Sequence, residues 1–115
     1  MMNHLFRLLV KHGIVMMATP GGVEVCAANT EIRAIKLGYD ILMDPTKAGI
    51  IGMHELGHIM TLPPDAAIQH LLRRSPEALY AGELMAWDWA QKNTPEEFWP
   101  ALEEVKASAL STYYF

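Results

Sequence analysis

The sequence predicts an α+β domain, a small sheet between an N-terminal helix and a run of C-terminal helices, and three observations carry that prediction. Residues 3–12 repeat apolar side chains at helical spacing. Residues 14–43 are rich in β-formers and end in an alternating apolar/polar stretch. From Asp44 onward, helix-start signals recur to the end of the chain. A chain of 115 residues is long enough to bury a core without staples, so residues 1–115 are expected to form a single domain.

Each element has its own signal. Leu5, Leu8, Leu9 and His12 share one face of the first helix, and Gly13 ends it. "IVMMAT" and "GVEVCA" are two short β-rich runs separated by Pro20-Gly21-Gly22, which reads as a hairpin. In "EIRAIKLGYDILM", Ile35, Leu37, Tyr39, Ile41 and Met43 alternate with other residues, as in a strand with one buried face. About three strands in a mostly antiparallel sheet are therefore expected. Asp44 can cap the next helix, with Pro45 at its first position and Thr46 as the competing cap. Pro63-Pro64 should stop it near Leu62. Asp65 caps a short helix to about Arg73, and Ser75-Pro76 opens another to about Lys92. Thr94-Pro95-Glu96-Glu97 has the pattern of a capping box for the last helix, which Pro100 should kink or delay.

Composition excludes several classes. With 51% hydrophobic and 19% charged residues the chain is not of the disordered type. A net charge of −4 and nine scattered Lys/Arg give no footprint for nucleic acid, and Arg73-Arg74 reads as a solvated helix end. Cys26 is the only cysteine, which excludes an intramolecular disulfide and fits a reducing compartment. The apolar run "GIVMMA" is too short for a signal peptide or a membrane span, so a cytoplasmic protein with no membrane partner is expected.

The chemistry concentrates in "GMHELGHIM", which contains His54-Glu55-Leu56-Gly57-His58. On a helix, residues four apart lie about 40° apart around the axis and one turn along it. His54 and His58 can therefore present ring nitrogens to one ion at about 2.0–2.1 Å. Glu55 is displaced along the helix, where its carboxylate can take a proton from a water activated by zinc. Met53, Leu56, Ile59 and Met60 form the opposite face, expected to anchor the helix in the core. Gly57 leaves space for a sheet backbone to approach.

Such a site needs a third protein ligand. The metzincin completion requires glycine at position 61 and histidine at 64, where the chain has Thr61 and Pro64. A glutamate from a later helix is another solution, and "LYAGELMAWDWAQ" offers Glu83. Ala86 and Ala90 share its helix face and Trp87 lies one turn on, so that helix can approach the motif closely. A carboxylate on a small, apolar face is costly unless it meets a cation. His70, Asp88 and Asp65 are the other candidates. Asp88 points about 140° from Glu83 and suits a supporting role behind a motif histidine.

Strands, then "GMHELGHI", then a helix with a glutamate and spaced Ala and Trp residues together resemble the gluzincin-type metallopeptidases. Within them the chain is most similar to the ImmA/IrrE-type domain. The resemblance covers roughly residues 30–91. It implies a minimal zincin-like fold, one Zn2+ per chain held by His54, His58 and Glu83, and Glu55 as general base. Aligning Ala86 and Trp89-Ala90 with the family's pattern puts Met85 at the usual ligand position and Glu83 two residues early. Family members often act on regulatory proteins, so a protein or peptide substrate is implied.

Further candidates are Tyr80, one turn before Glu83, and Tyr113 and Tyr114, on a tail that could fold over a cleft. Trp87, Trp89 and Trp99 read as interhelix core. An exposed edge of the third strand could receive an extended substrate, as in the resembling families. Two functions follow: a zinc-dependent peptidase, or a non-catalytic, zincin-shaped regulatory or accessory protein of a phage or mobile element.

Overall fold

Helix α1, Met2–His12, buries Leu5 and Leu9, and it stops where the sequence says it should. Gly13 takes φ 66°, ψ 40°, a left-handed cap whose N–H returns to the Leu9 and Val10 carbonyls. The computed structural model describes residues 1–62 and 65–113. After α1 it contains β1 (Val15–Thr19), β2 (Ala27–Asn29), β3 (Ala34–Gly38), α2 (Tyr39–Leu42), α3 (Pro45–Thr61), α4 (Ala66–Leu72), α5 (Pro76–Asn93) and α6 (Trp99–Leu110). The α+β layout is as expected, but the sheet is mixed rather than mostly antiparallel.

Its strand order is β1-β3-β2, with β1 parallel and β2 antiparallel to β3. The hairpin expected at Pro20-Gly21-Gly22 does not form. Instead this segment crosses the C-terminal end of β3, where the Asp40 N–H donates to the Gly21 carbonyl at 3.1 Å. A Cβ on Gly38 would overlap that same carbonyl oxygen, so the crossing requires glycine there. Burial explains the order. In β3, Ala34, Ile35, Leu37 and Gly38 are all buried, whereas β1 and β2 are largely exposed. The most apolar strand takes the middle, where both edges are paired. The true hairpin joins β2 to β3, with Asn29 Oδ1 accepting from the Glu31 and Ile32 N–H groups and Arg33 in the left-handed region at φ 53°.

The alternation read through Met43 also ends early. Strand β3 stops at Gly38, and Tyr39–Leu42 form one helical turn that buries Ile41 and leaves Tyr39 and Met43 exposed.

Helix α3 is the spine of the molecule. Asp44 caps it by accepting from the Lys47 N–H, and Pro45 occupies the first position. Eleven of its 17 residues are buried, so it is enclosed rather than amphipathic. It packs against α1, α5, α6 and the sheet. Met53, Leu56 and Ile59 lie in the core as expected, but Met60 is partly exposed. The helix ends at Thr61; the expected proline stop at 63–64 lies outside the described residues.

The remaining caps divide. Asp65 and Ser75 cap α4 and α5 as predicted. The capping box at Thr94 does not form: Thr94 closes α5, and its buried hydroxyl finds no hydrogen-bond partner among the described residues. Residues Glu96–Phe98 make a 3-10 turn, and α6 starts at Trp99 with Pro100 in its first turn. Proline is tolerated only there, so it sets the start of the helix and overrides the box. The Trp99 indole N–H bonds the Gln91 and Thr94 carbonyls, tying α6 to the end of α5. No helix among the described residues is long and apolar enough to cross a membrane.

Candidate metal centre

The site is made where α3 and α5 touch. A Cβ on Gly57 would overlap the Ala86 carbonyl oxygen, so the missing side chain lets the α5 backbone sit directly on α3. The close approach expected at Gly57 is therefore real, but its partner is a helix and not the sheet. Ala86 and Ala90 are fully buried in this contact. Gly57→Ala is expected to lower stability by about 1–3 kcal/mol or more, because backbone must move to admit the methyl. An unchanged urea midpoint for this variant would contradict that packing.

The contact delivers Glu83 to both motif histidines. Its Oε2 lies 2.7 Å from His54 Nε2 and its Oε1 lies 3.0 Å from His58 Nε2. One ligand atom from each of the three residues can be chosen so that all lie within 4.8 Å of one another. A tetrahedral zinc with bonds of about 2.1 Å separates its ligand atoms by roughly 3.4 Å. The histidine–carboxylate pairs need to open by only several tenths of an ångström to accept one. Two imidazoles and a carboxylate are a donor set that suits zinc.

The supporting groups fix the ring of His54. Its Nδ1 lies 3.3 Å from Glu55 Oε1, so a proton held there leaves Nε2 facing Glu83. On the other side the ring stacks on the Trp87 indole, centroids 4.2 Å apart and 8° from parallel. The sequence reading gives Trp87 a packing role alone. Its place one turn after Glu83 is the sequence signal that puts it on the same histidine.

Burial opposes charge on both partners of the cluster, yet the carboxylates prevail. Burial pushes the His54 pKa down, but hydrogen bonds and attraction from Glu55 and Glu83 raise it to about 9. Burial likewise pushes Glu83 up, while His54 and His58 draw it down to about 2. The two opposed shifts are those of a charge pair between His54 and Glu83.

Of the other candidates, the structure brings one tyrosine pair to the site. Tyr113 lies near Glu83; burial, then that carboxylate, raises its pKa. The Tyr113 ring packs on Tyr80 with centroids 5.6 Å apart. Tyr114 lies outside the described residues. Asp88 is exposed and pairs with Lys92 at 2.9 Å, so it does not support a histidine. Position 88 sits on the solvent side of α5, away from α3. His70, on α4, is also exposed and lies beside Arg74, and Asp65 is occupied as a helix cap.

Two cavities flank the cluster. One of about 540 Å3 opens on the His54 side and includes Asp44, Lys47 and Glu104 in its walls; the other, about 550 Å3, opens on the His58 side. Glu55 and Cys26 line both. The position of Cys26 beside the site is not legible in the sequence. Its thiol bonds the Gly22 carbonyl and accepts from the Gly38 N–H, so the strand crossing places it opposite Glu55. No family model, curated protein or solved structure matches the chain.

Proposed function

We propose that this chain is a zinc-dependent metallopeptidase of the gluzincin type, with His54, His58 and Glu83 as metal ligands and Glu55 as general base. The observation that carries the reading is the reach of Glu83 from α5 to both motif histidines, 2.7 and 3.0 Å away. When bound, zinc supplies Lewis-acid polarisation of a peptide carbonyl and lowers the pKa of a water toward about 7.

The residues of the chain do the rest. Glu55 lines both cavities, so its carboxylate borders a peptide bound in either. That carboxylate takes a proton from the attacking water as oxygen adds to the carbonyl carbon. It returns the proton to the amine nitrogen as the C–N bond breaks. Trp87 and Glu55 hold the His54 ring in register. The substrate is a protein or peptide. The single unpaired cysteine fits action in the cytoplasm.

Calorimetry with zinc tests the ligand set. One ion per chain is expected, with release of about one proton at pH 7, because a histidine with a pKa of about 9 must lose its proton to bind metal. Affinity should rise about tenfold per pH unit from 7 towards 9 and then flatten. Cleavage of a peptide mixture by the loaded protein should vanish on chelation and return with zinc. Tight binding with no proton release would contradict the role given to His54.

A further inference from the structure

Strand β1 leaves one edge of the sheet open, and nothing in its sequence guards that edge. It runs from Val15 to Thr19 without a charge, a proline or a bulge. Sheet edges are normally blunted by such devices or by being short. The opposite edge, β2, follows that rule: it has three residues and borders the metal centre, with Ala28 in a cavity wall.

The register tells which groups the open edge offers. The Val15 N–H donates to the Arg33 carbonyl at 3.0 Å, so Val15, Met17 and Thr19 bond β3. The N–H and C=O groups of Met16 and Ala18 therefore point outward. They have no hydrogen-bond partner among the described residues. The side chains beside them are open too: Val15 is 59% and Met17 47% exposed.

Charge selects the occupant. At the start of β1 stand Arg33, whose guanidinium bonds the His12 carbonyl at 2.8 Å, and the exposed Lys11. Glu31, in the same hairpin as Arg33, is nearer β2 in the chain. At the end of β1 stand Glu24, whose carboxylate accepts from the Gly22 N–H, and Asp40, whose N–H donates to the Gly21 carbonyl. One end of the edge is basic and the other acidic. A second copy laid antiparallel sets each basic end against the acidic end of the other, twice by symmetry.

We propose that β1 is a homodimer interface, in which two copies pair antiparallel about a two-fold axis at Met17 and join their sheets into one. Met16 of each copy exchanges two hydrogen bonds with Ala18 of the other, and the Met17 side chains meet on the outer face. Lys36, in register with Met17, lies three strand spacings (~14 Å) from its counterpart, beyond the screening length at physiological salt. The β2 edges and metal centres remain at the far ends, so the interface stands apart from the peptidase reading. Two such short strands bury less than a standard interface, so the dimer forms at roughly 10–100 μM.

Sedimentation velocity on the full chain from roughly 5 to 500 μM is the test. The wild type should pass from monomer to dimer across that range, and added salt should weaken the association. Ala18→Pro removes an outward N–H that the fold does not use, and Met17→Lys sets like charges directly opposite each other. Each should raise the dissociation constant at least about tenfold while the circular dichroism stays that of the wild type. Met17→Cys combined with Cys26→Ser should form a disulfide between copies on mild oxidation, because such a pair sets its Cα atoms about 4.5 Å apart. A wild type that stays monomeric throughout, leaving the edge to a strand of another protein, would overturn the proposal. So would a dimer indifferent to both β1 substitutions, or one that Met17→Cys does not cross-link.

Discussion

Glu55→Gln is expected to keep its zinc and lose peptide hydrolysis, with kcat falling by at least about 10²–10⁴-fold. Glutamine matches glutamate in shape, and its carbonyl oxygen can still accept from His54 Nδ1, now 3.3 Å from Glu55 Oε1. The orientation of the His54 ring, its stack on Trp87 and the reach of Glu83 are therefore preserved. What glutamine cannot do is take a proton from the attacking water and pass it to the leaving amine. Zinc content and single-turnover cleavage, measured on the same preparation, separate these two functions. Full cleavage by this variant would remove Glu55 from the mechanism.

On the proposed ligand set, Glu83→Ala is expected to act on metal binding itself. Loss of an outer partner of a ligand typically costs about 10–100-fold in metal affinity, and loss of a ligand should cost well over ~100-fold. The metal-free protein should be affected too, because Glu83 pairs with both histidines across the α3–α5 contact. The pH window follows from the two shifts. Burial opposes both charges, but pairing raises His54 from 6.5 to about 9, so its contribution is complete below 6.5 and is lost as pH rises through 9. Pairing lowers Glu83 from 4.5 to about 2, so its contribution is complete above 4.5 and is lost as pH falls through 2. Metal-free wild type should therefore exceed Glu83→Ala in stability most clearly between pH 4.5 and 6.5, and the gap should narrow above 9. It narrows by the part of the His54 shift that Glu83 supplies, since Glu55 still raises His54 in the variant. Chemical denaturation at about pH 5.5 and about pH 9.5, in the presence of chelator, reads this difference. A gap that widens at high pH would contradict the pairing.

How much of this was legible in the sequence depends on how local each signal is. The motif helix was, because Asp44 and Pro45 specify its start and His54, Glu55 and His58 need only helical spacing to meet. Glu83 was legible for a physical reason beyond the motif: a carboxylate on a face of buried alanines needs a cation, and α5 places it on two histidines. Strand order was not, because pairing is non-local. Pro20-Gly21-Gly22 looks like a hairpin turn whether it reverses the chain or carries it across β3. Period-two alternation ran on past Gly38 because Ile41 is buried by a helical turn as well as it would be by a strand. The capping box at Thr94 failed because Pro100 lies beyond the short word, Thr94 to Glu97, that defines it. The backbone constraint of that proline fixed where α6 begins. At Gly57 the need for a close approach was readable, but whether sheet or helix made it depended on tertiary packing.

Anomalous scattering at the zinc edge from crystals of the zinc-loaded protein tests the central claim most directly. One peak is expected, about 2.0–2.2 Å from a ring nitrogen of His54, a ring nitrogen of His58 and a carboxylate oxygen of Glu83, with one coordination position left to solvent. A peak away from Glu83, or a fourth protein ligand closing the site, would contradict it.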